Sequence, residues 1–126
     1  MSTPLLQERR WAIRVAFIQP LSARAQDNLK VWLHDLSATG ARIALGEMLT
    51  LSSRCTLALP PELDSLTLSA RVVWCTIFGG EQTAQGDRHL LYHSGLVFVD
   101  LTAGQKASLA TLLGQLTPKG SLRPEG

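Results

Sequence analysis

Three arginines crowd one short stretch near the start of the chain. They are Arg9, Arg10 and Arg14, the last two in an RxxxR spacing. Further on, Asp35, Ser37 and Gly40 make a DxSxxG pattern, and Arg42 follows. A guanidinium carries a rigid fork of N–H donors that matches a phosphate in bidentate geometry, so clustered arginines suit an anionic ligand. The plainer reading of the arginines is a solvated basic leader. The Asp-x-Ser pair also has a plainer reading, an Asx or Ser turn that closes a hairpin. That role is compatible with binding, because a turn can hold a carboxylate toward a ligand. Gly40 removes a side chain where the backbone must bend or a ligand press close.

No catalytic set accompanies these residues. The chain has no GxSxG elbow, no phosphate-binding GxxxxGK[ST] loop and no HExxH. Ser37 has no histidine placed by sequence to activate it, and we expect no enzyme activity. His34, His89 and His93 match no zinc spacing with Cys55 or Cys75, so no metal is expected. The cysteines fall within alternating apolar segments and read as buried or half-buried thiols. Trp11, Trp32 and Trp74 read as core or sheet-face residues, with Trp11 set apart because it lies between Arg10 and Arg14.

The elements that must position these residues are mostly strands. Trp11 to Ile18 is partly β-branched, Pro20 is expected to end it, and Ser22 to Asn28 looks turn-like. Four segments then alternate with period two. Val31 and Leu33 oppose Trp32 and His34, and Ala41, Ile43 and Leu45 oppose Arg42 and Ala44. Cys55, Leu57 and Leu59 form a third inward row. Leu66, Leu68, Ala70, Val72 and Trp74 form a fourth. Gly79 to Arg88 reads as a hairpin loop and His89 to Val99 as a further strand. Leu109, Leu112, Leu113 and Leu116 share one face of a helix. Thr102 and Gln105 match a capping box at its start, and Pro118 prevents its continuation.

A chain of 126 residues, 45% apolar and 17% charged, is enough for one folded domain. The net charge of +2 is too small to suggest general nucleic-acid binding, but it is unevenly spread. Residues 1–60 hold seven Lys/Arg against four Asp/Glu, and residues 61–126 hold five against six. No apolar run approaches membrane-spanning length, and residues 1–14 do not read as a signal peptide. Two cysteines without a CxxC pattern fit reduced thiols and a cytoplasmic location, without membrane insertion.

With RxxxR followed in order by DxSxxG, the sequence resembles the PilZ domain family over about residues 9–116. Val72-Val73-Trp74 looks like the family's long central strand and Gly95-Leu96-Val97-Phe98 like its last. The resemblance implies an all-β fold with a C-terminal α-helix, a six-stranded antiparallel β-barrel of the split-barrel, PilZ-like kind. The domain is expected at 9–116, with residues 1–8, which show no pattern, as a flexible leader and 117–126, which lack an apolar anchor, as a flexible tail. The resemblance also implies a receptor for cyclic di-GMP with ligand contacts from Arg9, Arg10, Arg14, Asp35, Ser37, Gly40 and Arg42.

The chemistry fits that ligand. An arginine fork reads the O6/N7 edge of guanine, a carboxylate suits N1–H and N2–H, and phosphates take guanidinium pairs. Arg10 and Arg14 are expected to clamp a guanine edge and a phosphate, with Arg9 assisting, and the ligand to order the N-terminal arm and so signal to an effector protein. A homodimer is compatible with this reading. Two rivals are a nucleotide-independent adaptor on the same fold, as in type IV pilus assembly, and a barrel for single-stranded nucleic acid. The second wants aromatics spread along a basic groove, whereas only 6% of residues are aromatic and the arginines are clustered, so neither DNA nor RNA is expected.

Overall fold

The computed structural model describes residues 14–26, 28–82 and 88–116. Arg9, Arg10, Trp11, the leader at 1–8 and the tail at 117–126 lie outside the described residues. Six antiparallel strands form one closed barrel in the order β1-β2-β3-β6-β5-β4. They are β1 (Arg14–Ala25), β2 (Leu29–Ser37), β3 (Gly40–Leu45), β4 (Arg54–Ala58), β5 (Thr67–Gln82) and β6 (Arg88–Phe98). The ring closes where β1 meets β4, through Arg24 opposite Ala58 and Ala25 opposite Leu57. One helix, α1 (Ala103–Leu116), follows the barrel.

The inward rows are those that alternation marks. Val31, Leu33, Ile43, Leu57, Leu68 and Ala70 are fully buried in one apolar cluster. Leu109, Leu112 and Leu113 bring α1 into the same cluster. Its start is a reciprocal capping box. The Thr102 N–H donates to Gln105 Oε1 at 2.8 Å, and the Gln105 N–H donates to Thr102 Oγ1 at 3.0 Å. Gln105 Nε2 also donates to the Thr67 carbonyl at 3.0 Å, which ties the first turn to the start of β5. Cys55 is buried and Cys75 half-buried, both as free thiols.

Three expectations need correcting, the first two because of irregular pairing. Pro20 does not end the first strand, and Ser22 to Ala25 are not a turn. β1 runs through both, with its register against β2 interrupted between Ala16 and Leu21. An interruption is where proline, lacking an N–H, does not cost a ladder bond. The fourth inward row stops at Val72, because a bulge between Val72 and Trp74 turns Trp74 outward. Val72 is buried, whereas Trp74 is 39% exposed. Finally, Gly79 to Gln82 belong to β5 rather than to a loop, paired with Leu91 to Arg88 of β6.

Candidate functional site

The DxSxxG residues sit where β2 turns into β3. Ser37 is buried, and its Oγ accepts from the backbone N–H groups of Thr39 and Gly40, each at 3.2 Å. The same oxygen lies 3.3 Å from the Gly40 carbonyl, to which it can donate. Of the two roles expected for Ser37, fixing the turn is therefore the one its bonds serve. Gly40 pairs with Val97 of β6, and a Cβ there would lie 2.1 Å from the Leu96 carbonyl oxygen. Glycine is required by this close approach of β6, whatever binds outside.

Register brings the charged residues together. Arg14 pairs with Ser37 and Ala16 with Asp35 across β1 and β2, while Asp35 pairs with Arg42 across β2 and β3. A bulge between Leu33 and Asp35 lets both His34 and Asp35 leave the core face. The Asp35 side chain is only 8% exposed and its Oδ2 lies 3.2 Å from Arg42 Nε and 4.0 Å from Arg14 Nη1. Both arginines are half-exposed. The buried carboxylate thus anchors two guanidinium groups at the surface. Arg42 Nε is itself buried and has no hydrogen-bond partner, so its contact with Asp35 is a charge pair rather than an aligned bond.

These groups line a shallow depression of about 170 Å³ on the outer barrel wall. Its other wall holds residues that sequence reasoning did not single out for the site. Trp74 pairs with Gly95, and a Cβ on Gly95 would strike the indole at 2.2 Å from Nε1, so the ring lies across that glycine. Val73 and Val97, 48% and 41% exposed, continue the apolar side. The bulge hides this from simple alternation. The available signal was Gly95 within a strand, which marks a close approach by some neighbour. A larger cavity of about 500 Å³ lies between α1 and the barrel and shares Thr39 and Val97 with the depression. Size does not favour it, because Arg14, Arg42 and Asp35 converge on the smaller one.

Beside Arg42 lies a ring cluster. His34 and His93 have ring centroids 5.0 Å apart, and Phe78 stacks on His93 at 3.9 Å. Burial, and then the Arg42 charge, hold His34 below its ordinary pKa, partly offset by Asp35. Burial lowers His93 as well, followed by His34 and Arg42. Among the described residues no group of three or more His, Cys, Asp or Glu could hold a metal. No helix there is long and apolar enough to cross a membrane.

Comparison with known proteins places this fold in a family. The PilZ domain of YcgR from Escherichia coli, solved with c-di-GMP, matches with a TM-score of 0.62 at 16% identity, over 86% of this chain and 91% of that one. MrkH, described as a c-di-GMP-dependent transcription regulatory factor, matches at 0.63 and 13% identity, over 85% of this chain and 50% of that one. The motility inhibitor MotI/DgrA of Bacillus subtilis matches at 0.54 and 19% identity, over 88% of this chain and 52% of that one. The chain spans about half the length of these last two. At such identities the likeness establishes the fold. No curated protein matches the chain. The model of the PilZ domain covers residues 7–115, most of the sequence, and the chain belongs to the PilZ domain family.

Proposed function

We propose that this chain is a receptor for cyclic di-GMP and acts without catalysis, by presenting a ligand-dependent surface to another protein. One observation carries the reading. Two guanidinium groups from different strands, Arg14 and Arg42, meet over one buried carboxylate, Asp35, at the edge of an apolar depression. A guanine nucleotide needs that combination: cationic forks for phosphate and for the O6/N7 edge, a carboxylate near N1–H and N2–H, and apolar area under the rings. The PilZ domain of YcgR was solved with the same ligand, and MrkH is a c-di-GMP-dependent factor.

The site residues have separate parts in this proposal. Arg14 takes a phosphate or the guanine O6/N7 edge. Arg10 and Arg9 add charge from the segment just before β1. Asp35 holds Arg42 and Arg14 in place and presents its carboxylate to the guanine N–H groups. Ser37 and Gly40 keep the β2–β3 turn in the shape that aims Asp35. Trp74 supplies a face for a base or ribose, since its indole is partly exposed over Gly95.

Isothermal titration of the full chain tests the reading. Saturable binding of cyclic di-GMP is expected, with GTP and a single-stranded oligonucleotide failing to bind at the same salt concentration. Absence of heat and of any competition with cyclic di-GMP would reject the receptor. The nucleotide-independent adaptor on this fold would then be the better account.

A further inference from the structure

The outer wall of the barrel carries a second pair of arginines that the DxSxxG and RxxxR patterns do not include. Arg54 of β4 and Arg71 of β5 stand directly opposite each other in the ladder. Like charges in that position oppose strand pairing. Here the arrangement is tolerated because each guanidinium has a partner. Arg54 Nη2 pairs with Asp100 Oδ2, and Arg71 Nη1 donates to the Ser52 carbonyl at 2.9 Å. Neither partner neutralises Arg71, since a carbonyl carries no net charge, and Arg71 remains exposed.

Register ties this pair to the depression. Arg71 is opposite Val97 of β6, and Val97 is opposite Gly40 of β3. Gly40, Val97, Arg71 and Arg54 therefore form one row across four strands. The neighbouring row runs Asp35, Arg42, Gly95 and Trp74. Adjacent strands are about 4.8 Å apart, which puts Arg71 one strand beyond the exposed Val97 that lines the depression. Arginines thus stand on two sides of the apolar floor, Arg14 and Arg42 toward β1–β3 and Arg71 on β5, the last with its guanidinium at the Ser52 carbonyl, just outside the lining of the depression.

A cyclic dinucleotide has two phosphodiesters on opposite sides of its macrocycle, each with one negative charge. A ligand seated on the Arg14 side by one phosphate and lying across Val97 turns its other phosphate toward β5. We propose that Arg71, the member of the pair whose charge no carboxylate among the described residues offsets, is a second phosphate-binding residue of this site. The assignment rests on the cyclic di-GMP reading above. It adds that the site distinguishes a two-phosphate cyclic ligand from a one-phosphate linear one.

The test compares cyclic di-GMP with the linear dinucleotide GpG, which has two guanines and a single phosphodiester. Titrations use the full chain as wild type, Arg71→Gln and Arg71→Lys at low and moderate salt, with thermal melts to check folding. Arg71→Gln is expected to weaken cyclic di-GMP by about tenfold, as loss of a charge-assisted contact does. GpG should change by less than about twofold, and the salt dependence for cyclic di-GMP should become shallower. Arg71→Lys keeps a point charge but loses the fork, so a loss of about threefold is expected. If Arg71→Gln fails to fold, the Lys variant decides alone. Equal affinities for cyclic di-GMP in wild type and the folded variants overturn the role of Arg71 and leave the receptor standing. A wild type that binds no cyclic di-GMP overturns both.

Discussion

Gly40 carries the most stringent requirement of any single residue in the site. Its missing side chain is the room taken by the Leu96 carbonyl, 2.1 Å from where a Cβ would be. Backbone cannot swing aside as a flexible side chain does. Gly40→Ala must therefore push β3 from β6, and a loss of about 1–3 kcal/mol is expected from the overpacking. Urea unfolding of the ligand-free chain measures it. A variant as stable as the parent would mean that the close approach is not kept in solution. Ser37→Ala acts differently, because it takes an acceptor from two backbone N–H groups without altering space. The histidines give the residue scale a pH signature. His34 and His93 bind a proton less readily folded than unfolded, since burial and Arg42 lower both. The stability they lend is complete above the unfolded value of about 6.5 and is lost as pH falls toward their folded values. Denaturant midpoints at pH 7.5 and about 5.5 should differ less in His34→Gln/His93→Gln than in the parent. Equal pH dependence in the two would remove the histidines from the account.

At the scale of elements, regular pieces were legible and irregular ones were not. The rows Val31/Leu33 and Ala41/Ile43/Leu45 face inward as period two requires. The helix begins at the capping box that Thr102 and Gln105 spell. Those features are local, so a window of sequence contains their causes. The bulges at Leu33/Asp35 and Val72/Trp74 depend on the neighbouring strand, which no window contains. They are also what build the site, because one turns Asp35 toward Arg42 and the other turns Trp74 out over Gly95. Arg14, Asp35, Ser37, Gly40 and Arg42 could thus be named in advance as neighbours, while the apolar wall opposite them could not; Arg9 and Arg10 lie outside the described residues. The cap gives an element-scale prediction. Thr102→Ala should cost about 1 kcal/mol, and Leu112→Ala, a buried leucine of the same helix, about 2–5 kcal/mol. Thermal melts rank the two. The reverse order would mean that α1 is held by its first turn rather than by its buried face.

At the scale of the whole molecule, stability and binding are expected to part company at the arginines. Arg14 is half-exposed and its nitrogen is 4.0 Å from Asp35, a separation at which a solvated ion pair contributes little to folding. Arg10 precedes β1 altogether. The barrel core, made by strands β1–β6 and α1, is an apolar cluster of which Arg14 is not a member. Arg10→Ala/Arg14→Ala should therefore unfold within about 1 kcal/mol of the parent when no ligand is added. Binding should respond far more strongly, because removing the cationic partner of a bound phosphate costs about 2–5 kcal/mol. Cyclic di-GMP at a hundred times its dissociation constant should stabilise the parent by about 2.7 kcal/mol and the double variant scarcely at all at the same concentration. Paired melts with and without ligand separate the two quantities in one experiment. A double variant stabilised as much as the parent would show that Arg10 and Arg14 are surface charge, and that Arg42 and Asp35 suffice for whatever the depression binds.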